Sequence, residues 1–168
     1  MYSEKRNQSQ FTRYLPLLYR YPDAKAMVRG SEEYPMLNGQ VNFYQTENGV
    51  LMVADVTGLP SQTSKANRFF GFHIHEGMEC AGTAENPFAD AGMHFNPTNT
   101  EHPHHEGDLS PLLGNRNGDA FSVFLTDAFH LNDVIDRTVI IHQNPDDFTT
   151  QPSGNSGPMI ACGKILRY

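Results

Sequence analysis

Residues 37–56 read LNGQVNFYQTENGVLMVADV, and three features of that stretch decide the fold class. From 37 to 45 apolar and polar residues alternate, with Val41, Phe43 and Gln45 on one face and Asn42 and Tyr44 on the other. A period of two marks a strand that buries one side. Glu47, Asn48 and Gly49 follow, and Asn-Gly readily adopts the positive backbone angles of a tight hairpin turn. Residues 50–56 are then almost wholly apolar, so the chain folds back on itself as a β-hairpin.

Working outward, residues 24–29, 69–75, 119–125, 138–142 and 160–166 form further strand-like runs. Each is closed by Gly, Pro, Asn or Asp, and the 168-residue chain carries 14 Gly and 11 Pro in all. Seven or eight short strands in a chain this long predict one loop-rich all-β domain over residues 24–168. Residues 1–23, polar and then aromatic, read as an appended arm that could cover a sheet edge or form a dimer contact, and residues 57–68 read as a connection. Twelve Lys and Arg against 19 Asp and Glu give a net charge of −7, which argues against a nucleic-acid or anionic-membrane partner. No apolar run is long enough to span a bilayer. The N-terminal stretch lacks the apolar core and cleavage site of a signal peptide, so a cytoplasmic address is expected, or a secreted or periplasmic one if a signal was trimmed. Two cysteines, Cys80 and Cys162, are too few for a disulfide scaffold and leave one bridge or two free thiols open.

Chemistry concentrates in the histidines, all eight of which lie from position 73 onward. His73 and His75 are two apart on a predicted strand, so both imidazoles point to one face, whereas a helix would splay them. His142 ends another predicted strand, residues 138–142. His94, His102, His105 and Asp108 fall within 15 residues of a long irregular stretch, residues 76–111, that needs an anchor to stay ordered. Three imidazoles and a carboxylate suit tetrahedral zinc, and His73, His75, His142 and one further histidine suit copper. The two sites are joined if His94 uses both ring nitrogens. His104 and His130 read as surface residues, and Asp146 and Asp147 on these grounds alone could be a solvated loop.

Five segments then carry a likeness to a known family. GFHIHE at 71–76, GMHFNP at 92–97, HHEGDL at 104–109, IIHQNPDD at 140–147 and GNSGPMIACG at 154–163 follow its order, and residues 24–168 resemble the copper-zinc superoxide dismutases. The resemblance implies an eight-stranded Greek-key β-barrel of immunoglobulin-like sandwich architecture, with long metal-binding loops. It implies copper on His73, His75, His94 and His142, zinc on His94, His102, His105 and Asp108, and His94 as the bridging imidazolate that takes a proton on copper reduction. Asp146 is implied behind the ligands, hydrogen-bonded to His73 and His102, and Cys80 is implied to pair with Cys162. Superoxide would be the substrate, dismuted to dioxygen and hydrogen peroxide, with a second copy of the chain and a copper donor protein as partners.

One position departs from the family. Met159 stands where the family has an Arg that orients the anionic substrate, and no Lys or Arg lies between His142 and Cys162. Slower dismutation is the expected consequence, unless Lys164, Arg137 or the arm supplies the charge. Met159, Met78 and Met93 are also soft donors for Cu(I), which makes a copper-holding or copper-transfer protein the alternative reading. A cupin-type single-metal enzyme, suggested by His73, His75 and Glu79, would leave His102, His105 and Asp108 unused.

Overall fold

The Asn48-Gly49 hairpin forms in unbroken register, joining β2 (Asn38–Thr46) to β3 (Gly49–Thr57) with Val41 opposite Ala54 and Thr46 opposite Gly49. Gly49 sits at φ +125°, and a Cβ there would lie 2.2 Å from the Thr126 carbonyl oxygen, so only glycine fits. The computed structural model describes residues 9–60 and 68–168; residues 1–8 of the expected arm and 61–67 of the expected connection lie outside the described residues. The remaining strands are β1 (Ala24–Gly30), β4 (Phe69–Phe70), β5 (Phe72–His75), β6 (Leu112–Leu113), β7 (Ala120–Thr126), β8 (Thr138–His142) and β9 (Met159–Arg167).

Seven strands make one antiparallel sheet in the order β5-β8-β9-β1-β2-β3-β7, and β4 pairs with β6 as a separate two-stranded piece. The sheet curls so strongly that Phe72 on one edge strand meets Phe124 on the other, ring edge to face, at 6.5 Å. The core fills the curl, with Val28, Val41, Phe43, Met52, Phe72, Ile74, Val139, Ile141 and Ile165 all buried.

The expected closed eight-stranded Greek-key barrel is therefore corrected: the sheet is an open, seven-stranded, curled half-barrel. The reason lies at β5. Its free edge is taken by loop backbone, with Ile74 N–H donating to the Gly107 carbonyl at 2.8 Å and Phe95 N–H donating to the Ile74 carbonyl at 2.8 Å. Only isolated bridges, His73 with Asp108 and His75 with His94, run along that edge. The run expected as one strand over 69–75 also divides at Gly71, where the backbone leaves β6 and bonds instead to Asn144. A Cβ at Gly71 would meet Ser156 at 2.8 Å.

Ser9 caps α1 (Gln10–Tyr14), which runs into a 3-10 turn over Leu15–Tyr19. Tyr14 packs on Tyr44, Leu51 and Val53, with Leu17 beside them, and its hydroxyl accepts from Asn48 Nδ2 at 2.9 Å. Tyr44, on the outward face by alternation, is buried for that reason. No helix among the described residues is long and apolar enough to cross a membrane.

Candidate metal centre

β5 and β8 pair with His73 opposite Ile140 and His75 opposite Thr138, and His142 ends β8. The bridge between His75 and His94 brings the long loop onto the same edge. Ligand-type atoms of His73, His75, His94 and His142 all lie within 4.8 Å of one another, and all four residues are buried. A second group, His94, His102, His105 and Asp108, meets the same distance limit and shares His94 with the first.

The ring nitrogens divide cleanly between outer partners and the two interiors. His75 Nδ1 donates to the Gly92 carbonyl at 2.9 Å and His142 Nδ1 to the Gly157 carbonyl at 3.0 Å. Their Nε2 atoms, left with lone pairs, face each other at 3.2 Å. Two bare lone pairs at that distance repel unless a cation lies between them. His73 Nδ1, His94 Nε2 and His102 Nδ1 are buried without a hydrogen-bond partner, an unfavourable state that metal ligation relieves. His102 Nδ1 lies 3.0 Å from Asp108 Oδ2 without bonding to it. His94 Nδ1 lies 2.8 Å and His105 Nδ1 3.3 Å from Asp108 Oδ1. Four imidazole nitrogens in one cluster fit copper, and three imidazoles with one carboxylate in the other fit zinc.

Asp146 stands behind both groups. Its Oδ2 accepts from His73 Nε2 at 2.8 Å and its Oδ1 from His102 Nε2 at 2.9 Å, and Phe148 N–H adds a third bond to Oδ1 at 2.7 Å. These bonds fix which nitrogen of each ring faces inward. Burial opposes the Asp146 charge, but the donors from His73, Phe148 and His102 outweigh it and hold the carboxyl at about 2. Asp108 is likewise held below the usual carboxylate range, since its contacts with His94 and His102 outweigh burial. Burial pushes His73 down, His75 well down, and His142 down to about 3, with the neighbouring imidazoles adding to the shift at His75 and His142. All three stay neutral near pH 7 and keep a lone pair for a metal.

The other candidates fall elsewhere. His104 is exposed, and His130 is the exposed N-cap of α2 (Leu131–Val134). Asp147 is exposed, held well below the carboxylate range by Thr150 and Thr149 in its own turn. Met159 lies opposite His142 in the β8–β9 ladder and packs against Phe88, Ala91, Ile140 and Cys162. Lys164 pairs with exposed Glu79 at 3.0 Å, so the carboxylate of a cupin-like set is on the surface. Arg137 donates to the Glu76 carbonyl and stacks over Phe95 at 5.5 Å. Both cations expected as substitutes for the missing Arg are thus engaged. Met78 and Met93 are about half exposed. Cys80 and Cys162 form a disulfide that ties the loop to β9.

Sequence reading passed over four residues that shape the centre. The Gly92 and Gly157 carbonyls orient His75 and His142, and backbone acceptors leave no residue-type signature. Gln151 brackets His102, accepting from its N–H at 3.0 Å and donating to its carbonyl at 2.6 Å. Gly154 sits at φ +67°, where a Cβ would lie 2.0 Å from Asp146 Oδ1 and 2.7 Å from His102 Nε2. Its place in the Gly- and Ser-rich GNSG stretch was the available signal.

Comparison with known proteins agrees with this geometry. Residues 37–165 match the family described as copper/zinc superoxide dismutase. The chain is 34% identical over 150 residues to the Cu-Zn superoxide dismutase of Legionella pneumophila, covering 85% of this chain and 86% of that protein. It is 33% identical over 159 residues to that of Schizosaccharomyces pombe, covering 84% and 96%. Among solved structures, the Cu/Zn superoxide dismutase of Brucella abortus shares the fold, with a TM-score of 0.72 at 24% identity over 84% of this chain and 98% of that one.

Proposed function

We propose that this chain, which belongs to the copper/zinc superoxide dismutase family, converts two superoxide ions and two protons into dioxygen and hydrogen peroxide. The observation that carries the reading is the pair of clusters sharing His94, in which His73 Nδ1, His94 Nε2 and His102 Nδ1 are buried with no hydrogen-bond partner among the described residues. Copper on His73 Nδ1 and the Nε2 atoms of His75, His94 and His142 would supply the Cu(II)/Cu(I) couple, while zinc on His94, His102, His105 and Asp108 would polarise the shared ring.

The chain's own residues prepare the site for that chemistry. Asp146 holds His73 and His102 in the tautomers that turn their Nδ1 atoms inward. Gly92 and Gly157 do the same for the Nε2 atoms of His75 and His142. His94 offers a buried nitrogen to each cluster, and its Nε2 is the atom that can hold a proton for the peroxide product. Met159 is an apolar filler beside Phe88 and Cys162, which favours the enzyme over the copper-transfer reading. It offers the anion no cationic partner at that position, and one missing charge about 5 Å away is worth about 1–3 kcal/mol, or about a tenfold to hundredfold loss of rate.

A homodimer and a copper-donating protein belong to the same reading. Exposed Phe121, Val123 and Leu125 on β7 support the first, and the burial of all four copper-type ligands supports delivery of the ion by a partner. The test is stopped-flow decay of superoxide with the copper- and zinc-loaded protein. Decay that scales with protein and disappears in His142→Ala supports the proposal, and decay equal to that of the metal-free protein contradicts it.

A further inference from the structure

We propose that Glu32, Glu33 and Glu85 make the approach to the copper cluster repel anions, so that reaction with superoxide accelerates as salt is added. The inference rests on the dismutase reading above.

The three carboxylates are brought together by backbone. The segment between β1 and β2 is pinned to β9 by Ser31 N–H donating to the Ile160 carbonyl at 3.0 Å, and it turns through Tyr34 N–H donating to the Ser31 carbonyl at 2.9 Å. Gln143, the residue after His142, donates through Nε2 to the Tyr34 hydroxyl at 3.2 Å and through its N–H to the Pro158 carbonyl at 2.9 Å. Opposite stands a turn closed by Thr83 N–H on the Asn86 carbonyl at 2.9 Å. Between them lies a hollow of about 550 Å³, whose walls include Glu32, Glu33, Glu85, Gln143 and Met159 and, among the described residues, no Lys or Arg. Met159 is the register partner of His142, so the hollow lies beside the end of β8 that carries this ligand. Glu32, Glu33 and Glu85 are exposed and form no ion pair among the described residues.

The wider charge pattern points the same way. Residues 76–163, which supply most of the metal ligands, carry thirteen Asp and Glu against two Arg, whereas the rest of the chain has six against ten Lys and Arg. Asp108 and Asp146 belong to the clusters, Lys164 is neutralised by Glu79, and Arg137 is spent on the Glu76 carbonyl and the Phe95 ring. The chain is therefore negative over residues 76–163 as well as in total. The Debye length shrinks from about 30 Å at 0.01 M to about 8 Å at 0.15 M ionic strength. An anion in the hollow lies within about one Debye length of the three carboxylates that wall it, so their repulsion is largely unscreened at the lower salt and screened at the higher, an effect on the order of two- to threefold.

Azide supplies a readout apart from turnover, because it is an anion that binds Cu(II) and shifts its absorption. The copper- and zinc-loaded protein and its E32Q/E33Q/E85Q variant would be titrated with azide at about 0.01 and 0.15 M ionic strength, and superoxide decay would be followed on the same samples. The expected result is azide affinity and decay rate both rising about two- to threefold with salt in the natural protein. The variant should start higher at low salt and change little. Azide affinity that falls with salt, or a variant with the same salt response as the natural protein, overturns the inference. Copper-loaded protein that binds azide with the expected salt response yet shows no turnover would sink the dismutase reading and leave the repulsive field standing.

Discussion

Asp146→Asn is the substitution with the most informative consequence, because one carboxylate serves both clusters. Its side chain is 1% exposed and takes three donors, two of them on Oδ1 and one on Oδ2. An amide has one oxygen to offer. It will place that oxygen where His102 Nε2–H and Phe148 N–H converge and turn its NH2 toward His73, setting donor against donor. His73 must then either keep a buried donor unpaired, at about 1–3 kcal/mol, or move its proton to Nδ1, the nitrogen the copper cluster uses. Either response weakens the ligand, and loss of such an outer hydrogen bond lowers metal affinity about 10–100-fold. Copper should be bound about 10–100-fold more weakly in the variant, with a smaller change for zinc, in competition titrations against chelators of known affinity at pH 7. Circular dichroism of the variant should match the natural protein. Copper affinity within about twofold of the natural protein, or a loss falling on zinc alone, would refute the reasoning.

Other expectations follow from the same geometry. Met159→Arg should raise the superoxide rate constant about tenfold or more and reduce its rise with salt; an unchanged rate would show that charge at this position does not limit the reaction. The metal-free protein should lose stability as pH falls below about 6.5 toward the His142 value of about 3. The sign follows because the folded state holds these rings neutral while the unfolded chain takes up protons first, and urea midpoints between pH 7.5 and 4.5 would check it. Cys162→Ser should cost about 4–5 kcal/mol by the chain-entropy argument, since the bridge spans a separation of 82 residues; thermal unfolding of the variant under oxidising conditions measures it. Gly154→Ala should weaken both metals, because its Cβ would lie 2.0 Å from Asp146 Oδ1, and the chelator titration reads it directly.

The strands were legible because each carries its own local signal. Alternation at 41–45 and the Asn-Gly turn gave β2 and β3 with their pairing, and the H-x-H spacing placed His73 and His75 on one face of a strand. What failed to show was decided by neighbours distant in sequence. The break at Gly71 depends on Ser156, the burial of Tyr44 on Tyr14, and the open edge of β5 on Gly107 and Phe95 capturing Ile74. A residue pattern specifies that a segment is a strand but leaves open which backbone will satisfy its free edge, so the closed barrel was expected where a curled, open sheet forms. The histidine clusters were legible by type and spacing. The Asp146 bonds to His73 and His102 came only with the family resemblance, and which nitrogens of His75 and His142 point inward was not legible, because carbonyls at Gly92 and Gly157 set it.

The most direct test of the account is turnover per copper, with copper and zinc quantified on the same sample. The account predicts one of each metal per chain and superoxide removal well above that of the metal-free protein, lost when copper alone is withdrawn. Full occupancy of both metals without catalytic decay of superoxide would contradict it.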